Sequence, residues 1–524
     1  MGPDQPDTGI DDLVRAILTS RVYEVAQETP LDPAPRLSAR LGCTVRFKRE
    51  DLQPVFSFKL RGAHNKIASL TSAERAKGVI TASAGNHAQG VAYSARYLGI
   101  DALIVMPETT PAIKVEAVRA LGARVVLHGD SYSDAQDHCT DLVKSTGMTF
   151  VHPFDDPLVV AGQGTIADEI VARSSAALDA VFVPVGGGGL IGGIGAYLKA
   201  VVPHVKVIGV ESVEADAMTR SLAAGRPVAL EEVGIFADGV AVRRVGDFTF
   251  PLVRRVVDEL VTVANQEISA AIKDVFEDTR TIVEPAGALA VAGMKRWIET
   301  NDVRGGQFIA VLSGANMDFD RLRYVTEQAE LGEGREALLA VTIPERPGAF
   351  LDFCSTLGRR VITEFNYRLN SRDLAHIFVG VSVSSRDDAA RLADELRAKG
   401  CPTTDLSDNT VAQLHVRHMV GGRPREVVDE QVYRFQFPER PGALMTFLET
   451  LGGRWNISLF HYRNHGGDVG RVLAAFEVPA GDIGGFETFL DDLGYLARNE
   501  GSNPAYDLFL AGKRRAEGVD DSPT

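Results

Sequence analysis

Four consecutive glycines, Gly186 to Gly189, follow the apolar run Ala180 to Val185 and precede the apolar stretch Ile191 to Val201. The pattern reads as a buried strand, a glycine turn ending in Leu190, and a buried helix. Consecutive glycines cost backbone entropy, and a close approach of backbone N–H groups to a phosphate is the usual compensation. A flexible linker has a similar composition, but linkers do not sit between a buried strand and an apolar helix. The turn is neither a G-x-G-x-x-G dinucleotide pattern nor a Walker loop, because no Lys-Ser or Lys-Thr follows the glycines.

The same alternation runs through the preceding chain. Strands are expected at Gly78 to Ala82, Ala102 to Met106, Arg124 to His128 and Thr149 to His152. Helices are expected at Ala88 to Leu98, closed by Gly99, and at Ser133 to Ser145. Another helix is capped by Thr110, with Pro111 at its first position and Gly122 past its end. Further strands are expected at Val45 to Lys48, at Val207 to Val210 ending at Glu211, and at Phe308 to Leu312. An amphipathic helix, Leu13 to Thr29, precedes all of these and is ended by Pro30. Such alternation implies parallel pairing in a doubly wound α/β fold, where ligands sit at the carboxyl ends of strands.

Three further stretches carry candidate chemistry. In Ser57-Phe58-Lys59-Leu60-Arg61-Gly62, Lys59 lies between apolar neighbours just before a helix expected over Ala63 to Leu70. Desolvation there lowers the lysine pKa and exposes an amine able to form a Schiff base and move protons. A snorkelling lysine at a helix start fits the isolated stretch as well. In Ser83-Ala84-Gly85-Asn86-His87, small residues before a helix leave backbone N–H groups free for an anion such as a carboxylate, and Asn86 could bond a ring oxygen. An ordinary helix entry capped by Asn accounts for that stretch equally well. Glu284-Pro285-Ala286-Gly287-Ala288 opens another helix, and Ser313-Gly314-Ala315-Asn316 closes a buried strand, which puts Ser313 at a carboxyl end.

Composition removes other classes. A formal net charge of −15 without a basic patch argues against nucleic-acid binding. No apolar run is long enough to span a bilayer, and the polar N-terminus has no secretory h-region. Four scattered cysteines, Cys43, Cys139, Cys354 and Cys401, fit a reducing cytoplasm, and neither cysteines nor histidines show metal-ligand spacing.

From about Ala337 the chain repeats itself. Ile343-Pro344-Glu345-Arg346-Pro347-Gly348-Ala349-Phe350 returns as Phe437-Pro438-Glu439-Arg440-Pro441-Gly442-Ala443-Leu444. Each copy precedes a helix ending in Leu-Gly, then a strand ending in Tyr-Arg: Tyr367-Arg368 and Tyr462-Arg463. Strand, Pro-Gly turn, helix and strand suit two small ferredoxin-like α+β modules, over 337–409 and 432–503, after a first domain over 1–330.

Together the lysine stretch, Ser83 to His87, the glycine run and Ser313 to Asn316 resemble the fold-type II (tryptophan synthase β-like) pyridoxal phosphate enzymes, and among them the threonine dehydratases, or threonine ammonia-lyases. The resemblance covers the chain from about Arg21 to Gly512. It implies pyridoxal 5'-phosphate as cofactor, with Lys59 carrying the Schiff base. Gly186, Gly187, Gly188, Gly189 and Leu190 would hold the phosphate, Asn86 the ring hydroxyl, and Ser313 would face the pyridine nitrogen. Ser83, Ala84, Gly85 and His87 would cradle the substrate carboxylate. The implied activity is deamination of L-threonine to 2-oxobutanoate and ammonia for isoleucine synthesis; serine deamination or β-replacement is the alternative. Ala84 stands where related racemases and serine-dehydrating enzymes can carry serine, which argues against racemisation. The repeats resemble ACT-like regulatory domains, which implies isoleucine as inhibitor and valine as competing activator near Tyr367 and Tyr462. A cytoplasmic homotetramer is also implied.

Overall fold

Parallel pairing, expected from the alternation, builds two sheets of the first unit in the computed structural model. That unit is Met1–Gly332, and a second is Glu333–Thr524. The structure describes residues 9–174, 177–322 and 325–503, except 327, 330–334, 359, 370–372, 410–411, 414–415, 420–426, 428, 439–441 and 464–468, and also describes 506 and 510.

The first unit begins with α1 (Ile10–Leu18), β1 (Leu31–Pro33), α2 (Pro35–Leu41), β2 (Thr44–Arg49), α3 (Lys59–Ala68) and α4 (Ser72–Lys77). Next come β3 (Val79–Ala82), α5 (Asn86–Leu98), β4 (Ala102–Met106), α6 (Ala112–Ala120), β5 (Arg124–Leu127), α7 (Tyr132–Thr146) and β6 (Thr149–Phe150). These strands form a parallel sheet in the order β5-β4-β3-β6. The chain continues through α8 (Pro157–Arg173), β7 (Ala180–Pro184), α9 (Gly189–Val201), β8 (Lys206–Ser212) and α10 (Ala217–Ala224). It then runs through α11 (Thr249–Val256), β9 (Glu259–Val263), α12 (Asn265–Thr279), α13 (Pro285–Thr300) and β10 (Gln307–Leu312). The second sheet has the order β1-β2-β10-β7-β8-β9, parallel except for β1 against β2. β7 and β10 are buried almost throughout, as expected for strands covered on both faces.

Local outcomes differ from expectation in places. α1 stops at Leu18 instead of running to Thr29. The Arg21 N–H donates to Asn65 Oδ1 on α3 at 3.1 Å, an acceptor outside the helix, and Val22–Glu24 forms only a short 3₁₀ turn. Pro111, not Thr110, occupies the cap of α6, without a side-chain cap bond. α3 starts at Lys59 itself, and β6 ends at Phe150, before His152.

The second unit carries the duplication as β11 (Glu336–Pro344), α14 (Ala349–Leu357), β12 (Ile362–Arg368), β13 (Leu374–Ser382), α15 (Arg386–Ala398) and β14 (Thr403–Asp405). The second copy is β15 (Glu430–Pro438), α16 (Ala443–Leu451), β16 (Asn456–Arg463), β17 (Val469–Glu477), α17 (Ile483–Leu493) and β18 (Leu496–Asn499). Each copy is a βαββαβ unit, and the two merge into one sheet ordered β14-β11-β13-β12-β16-β17-β15-β18. β12 and β16 are the antiparallel seam, with Phe365 opposite Tyr462 and Tyr367 opposite Phe460. Glu439 to Pro441 of the second Pro-Gly turn lie outside the described residues. Among the described residues no helix is long and apolar enough to cross a membrane, and no cluster of His, Cys, Asp and Glu could hold a metal ion.

Candidate active site

Lys59 opens α3, and the segment before it is stitched to the turn after β10. The Phe58 N–H donates to Ser313 O at 3.2 Å, and the Ala315 N–H donates to Phe56 O at 2.9 Å. Asn316 Nδ2 donates to Val55 O at 2.9 Å and to Asn86 Oδ1 at 2.7 Å. Three sequence stretches thus meet at one place. Lys59 Nζ donates to Pro153 O at 2.9 Å and lies 5.3 Å from the centre of the Phe58 ring. Burial lowers its pKa to about 8, with the Glu284 carboxylate opposing the shift.

The glycine turn forms the facing wall. Gly188 has φ +93°, a conformation that side-chain-bearing residues rarely adopt. A Cβ on Gly187 would lie 2.3 Å from the Phe154 ring. The turn therefore admits no side chains at these two positions, which leaves backbone N–H groups at the start of α9 as its chemistry.

The resulting cleft, about 510 Å³ with the space at its open mouth included, is lined by Lys59, Asn86, Gly186, Gly187, Gly188, Gly189, Leu190 and Ser313, with Phe154, Gly239 and Glu284 among others. Ser313 is buried, and its hydroxyl donates to Ala286 O at 3.1 Å. Ser83, Ala84 and Gly85 form the half-buried turn between β3 and α5, outside the cleft lining. His87 is buried at the same helix start, with Nε2 2.9 Å from Val151 O. Burial, reinforced by Lys59, lowers its pKa to about 3, so the ring is neutral and offers no positive charge to a carboxylate.

Two participants escaped the sequence reading. Glu284, expected only as part of a helix entry, lines the cleft, and its Oε1 accepts from Asn86 Nδ2 at 2.6 Å. Burial raises its pKa to about 7, and the nearby Asp238 adds to the shift. A glutamate directly before a proline at a helix start was the only available signal. The second is the segment His152 to Asp156, which supplies Pro153 and Phe154.

Arg61, next but one to Lys59 on α3, anchors a buried ionic cluster. Arg61 bonds Glu50 at 2.7 Å and Glu169 at 2.5 Å, and Lys48 also pairs with Glu169. Mutual pairing satisfies charges that would be costly to bury singly, and it ties α3 to β2 and α8.

A lysine of depressed pKa, a cradle of glycine N–H groups and a buried hydroxyl face one cleft, and this donor set fits pyridoxal phosphate. A family model described as pyridoxal-phosphate dependent enzyme matches residues 22–314. One described as the C-terminal regulatory domain of threonine dehydratase matches twice, over 327–416 and 421–510. The biosynthetic L-threonine dehydratase of Burkholderia multivorans is 54% identical over 503 residues, spanning 95% of this chain and 99% of that protein. The mitochondrial threonine dehydratase of Saccharomyces cerevisiae is 49% identical, spanning 95% and 89%. Among solved structures, the processed threonine deaminase isoform 2 of Solanum lycopersicum matches at TM-score 0.61 and 49% identity, covering 63% of this chain and 91% of that one. By sequence over nearly its whole length and by the architecture of its cleft, this chain belongs to the threonine dehydratase family of pyridoxal-phosphate-dependent enzymes.

Proposed function

We infer that the protein deaminates L-threonine to 2-oxobutanoate and ammonia. The observation that carries this reading is the convergence of Lys59 Nζ, the glycine turn and Ser313 on one cleft, in a chain matched over 95% of its length by an L-threonine dehydratase. Bound pyridoxal phosphate supplies a carbonyl carbon that takes an amine and a ring that withdraws electrons from the substrate Cα. Gly186 to Gly189 and Leu190 would hold its phosphate, Asn86 its ring hydroxyl, and Ser313 would face its ring nitrogen. Lys59 would hold the cofactor and, once released, take the Cα proton; a pKa near 8 keeps part of its population neutral at neutral pH. The hydroxyl of Ser313 cannot keep a ring nitrogen protonated as a carboxylate would, which favours elimination over transamination. The substrate carboxylate is assigned to the stretch Ser83 to His87; since His87 is neutral and the Ser83 and Gly85 N–H groups already donate to Val105 O and Ser83 Oγ, the first N–H groups of α5 carry that role.

The C-terminal modules, over 337–409 and 432–503, are assigned to feedback by isoleucine, with valine competing. A cleft of about 270 Å³ beside the first Pro-Gly turn supports this, lined by Pro347, Phe350, Leu448, Trp455 and Asn456. Tyr367 is buried next to it: its hydroxyl donates to Glu345 Oε2, and Asn456 Nδ2 donates to Glu345 Oε1 at 3.0 Å. Tyr462 lies on the same face of the seam. A cytoplasmic homotetramer completes the assignment.

The test is keto-acid formation by purified protein with pyridoxal phosphate and L-threonine or L-serine, with and without isoleucine. Turnover of threonine, suppressed by isoleucine, is expected. Exclusive turnover of serine would overturn the substrate assignment.

A further inference from the structure

The residues between β6 and α8 bond in several directions at once. His152 Nδ1 accepts from the N–H groups of Phe154 at 3.2 Å and Asp155 at 2.7 Å. Pro153 O holds Lys59 Nζ, and Phe154 packs on the glycine turn. Asp156 caps α8 through Leu158 and Val159, and it pairs with Lys66 on α3 at 2.7 Å. Asp155 faces the opposite way. Its Oδ2 accepts from the Asp247 N–H, and its Oδ1 accepts from the N–H groups of Phe248 and Thr249, all at 3.0 Å. Phe248, the residue at the cap of α11, has no capping side chain of its own, so Asp155 supplies the acceptor from elsewhere in the chain.

α11 in turn grips the glycine turn. Thr249 Oγ1 donates to Gly187 O at 2.5 Å, and the Gly246 N–H lies 3.4 Å from the same oxygen. A trans peptide holds its C=O and the following N–H on opposite sides. With Gly187 O fixed toward α11, the Gly188 N–H is fixed on the other side of that peptide. Thr249 is wholly buried, so this link is shielded from water.

We propose that Asp155 is a positioning residue for the cofactor phosphate: it orders residues 247–249, and through Thr249 it sets the Gly187 peptide in the orientation the anion requires. This rests on the cofactor being pyridoxal phosphate, not on which amino acid is deaminated. A free glycine turn samples many peptide orientations, and locking one in advance removes that cost from cofactor binding.

The test separates the phosphate from the rest of the cofactor. Apoenzyme is titrated with pyridoxal phosphate and, separately, with pyridoxal, which has no phosphate. In Asp155→Ala and Thr249→Val, affinity for pyridoxal phosphate is expected to fall about tenfold or more, while that for pyridoxal changes by less than about twofold. Thr249→Ser, which keeps the hydroxyl, is expected to restore the preference for pyridoxal phosphate. Wild-type affinity for pyridoxal phosphate in both Asp155→Ala and Thr249→Val overturns the proposal. So does an equal loss for pyridoxal phosphate and pyridoxal, which marks a general loosening of the fold. If Asp155→Ala does not fold, the same ratio measured in Thr249→Val and Thr249→Ser decides.

Discussion

The side-chain amide of Asn86, at the head of α5, donates to Oε1 of Glu284, just before α13, at 2.6 Å across 198 positions of sequence. The bond joins the turn after β3 to a helix start of the second sheet. Burial nevertheless raises the pKa of this carboxyl group to about 7, against the opposing pull of the Asn86 bond.

Glu284 has a consequence for stability. A glutamate in the unfolded chain ionises near 4.5, and in the folded protein Glu284 does so at about 7. Between those values the folded state keeps a proton that the unfolded chain has lost. Its contribution therefore falls as pH rises from about 4.5 to about 7 and is level above that. Glu284→Gln keeps an acceptor for Asn86 and removes this slope, worth roughly 3 kcal/mol. Urea unfolding of the apoprotein at acid and alkaline pH checks it; an unchanged difference between the two conditions in the variant counts against the assignment.

Lys59→Ala is expected to abolish deamination and the visible absorbance of covalently held cofactor. The reason is geometric, because Lys59 is the only lysine that lines the described cleft. Reducible covalent cofactor on the purified variant would contradict it.

Gly188→Asp should reduce cofactor occupancy severely. The position has φ +93°, and a Cβ there would lie 2.8 Å from Met218 Cε. A carboxylate would also add a negative charge beside an anion site. Occupancy measured by absorbance after purification tests this, and near-normal loading would show that the turn serves something else.

Arg61→Leu should destabilise the protein by about 3–5 kcal/mol, because it leaves the carboxylates of Glu50 and Glu169 short of a partner in the interior. Adding Glu50→Gln should recover part of the loss, since one uncompensated charge is removed. Denaturant unfolding of the single and double variants gives the comparison. A loss below about 1 kcal/mol would mean that water or Lys48 compensates.

Truncation near Leu331, which lies outside the described residues, should leave threonine deamination but remove inhibition by isoleucine. Tyr367→Phe deletes only the hydroxyl held by Glu345 and should raise the isoleucine needed, by a smaller factor than Tyr367→Ala. Tyr462→Ala should act in the same direction. Threonine saturation curves at several isoleucine concentrations are the measurement, and full inhibition of the truncated protein would place the effector elsewhere.

What the sequence alone determined is local. Buried strand, glycine turn and apolar helix follow one another between Ala180 and Val201, so periodicity and glycine content were enough to mark that wall of the cleft. The lysine between Phe58 and Leu60 and the serine ending β10 were legible for the same reason, as was the duplication after Ala337. The tertiary structure decided everything that depends on a distant partner. Only packing places β10 between β2 and β7, and that placement brings Ser313 against the segment before Lys59. Only packing turns Glu284 from a helix-entry residue into an acceptor for Asn86, and commits the His87 ring to Val151. The early end of α1 has the same origin, because Asn65 captures the Arg21 N–H that a continuing helix would use. A backbone group or a polar side chain takes whichever partner the folded chain brings within about 3 Å, and neighbouring residues carry no record of it.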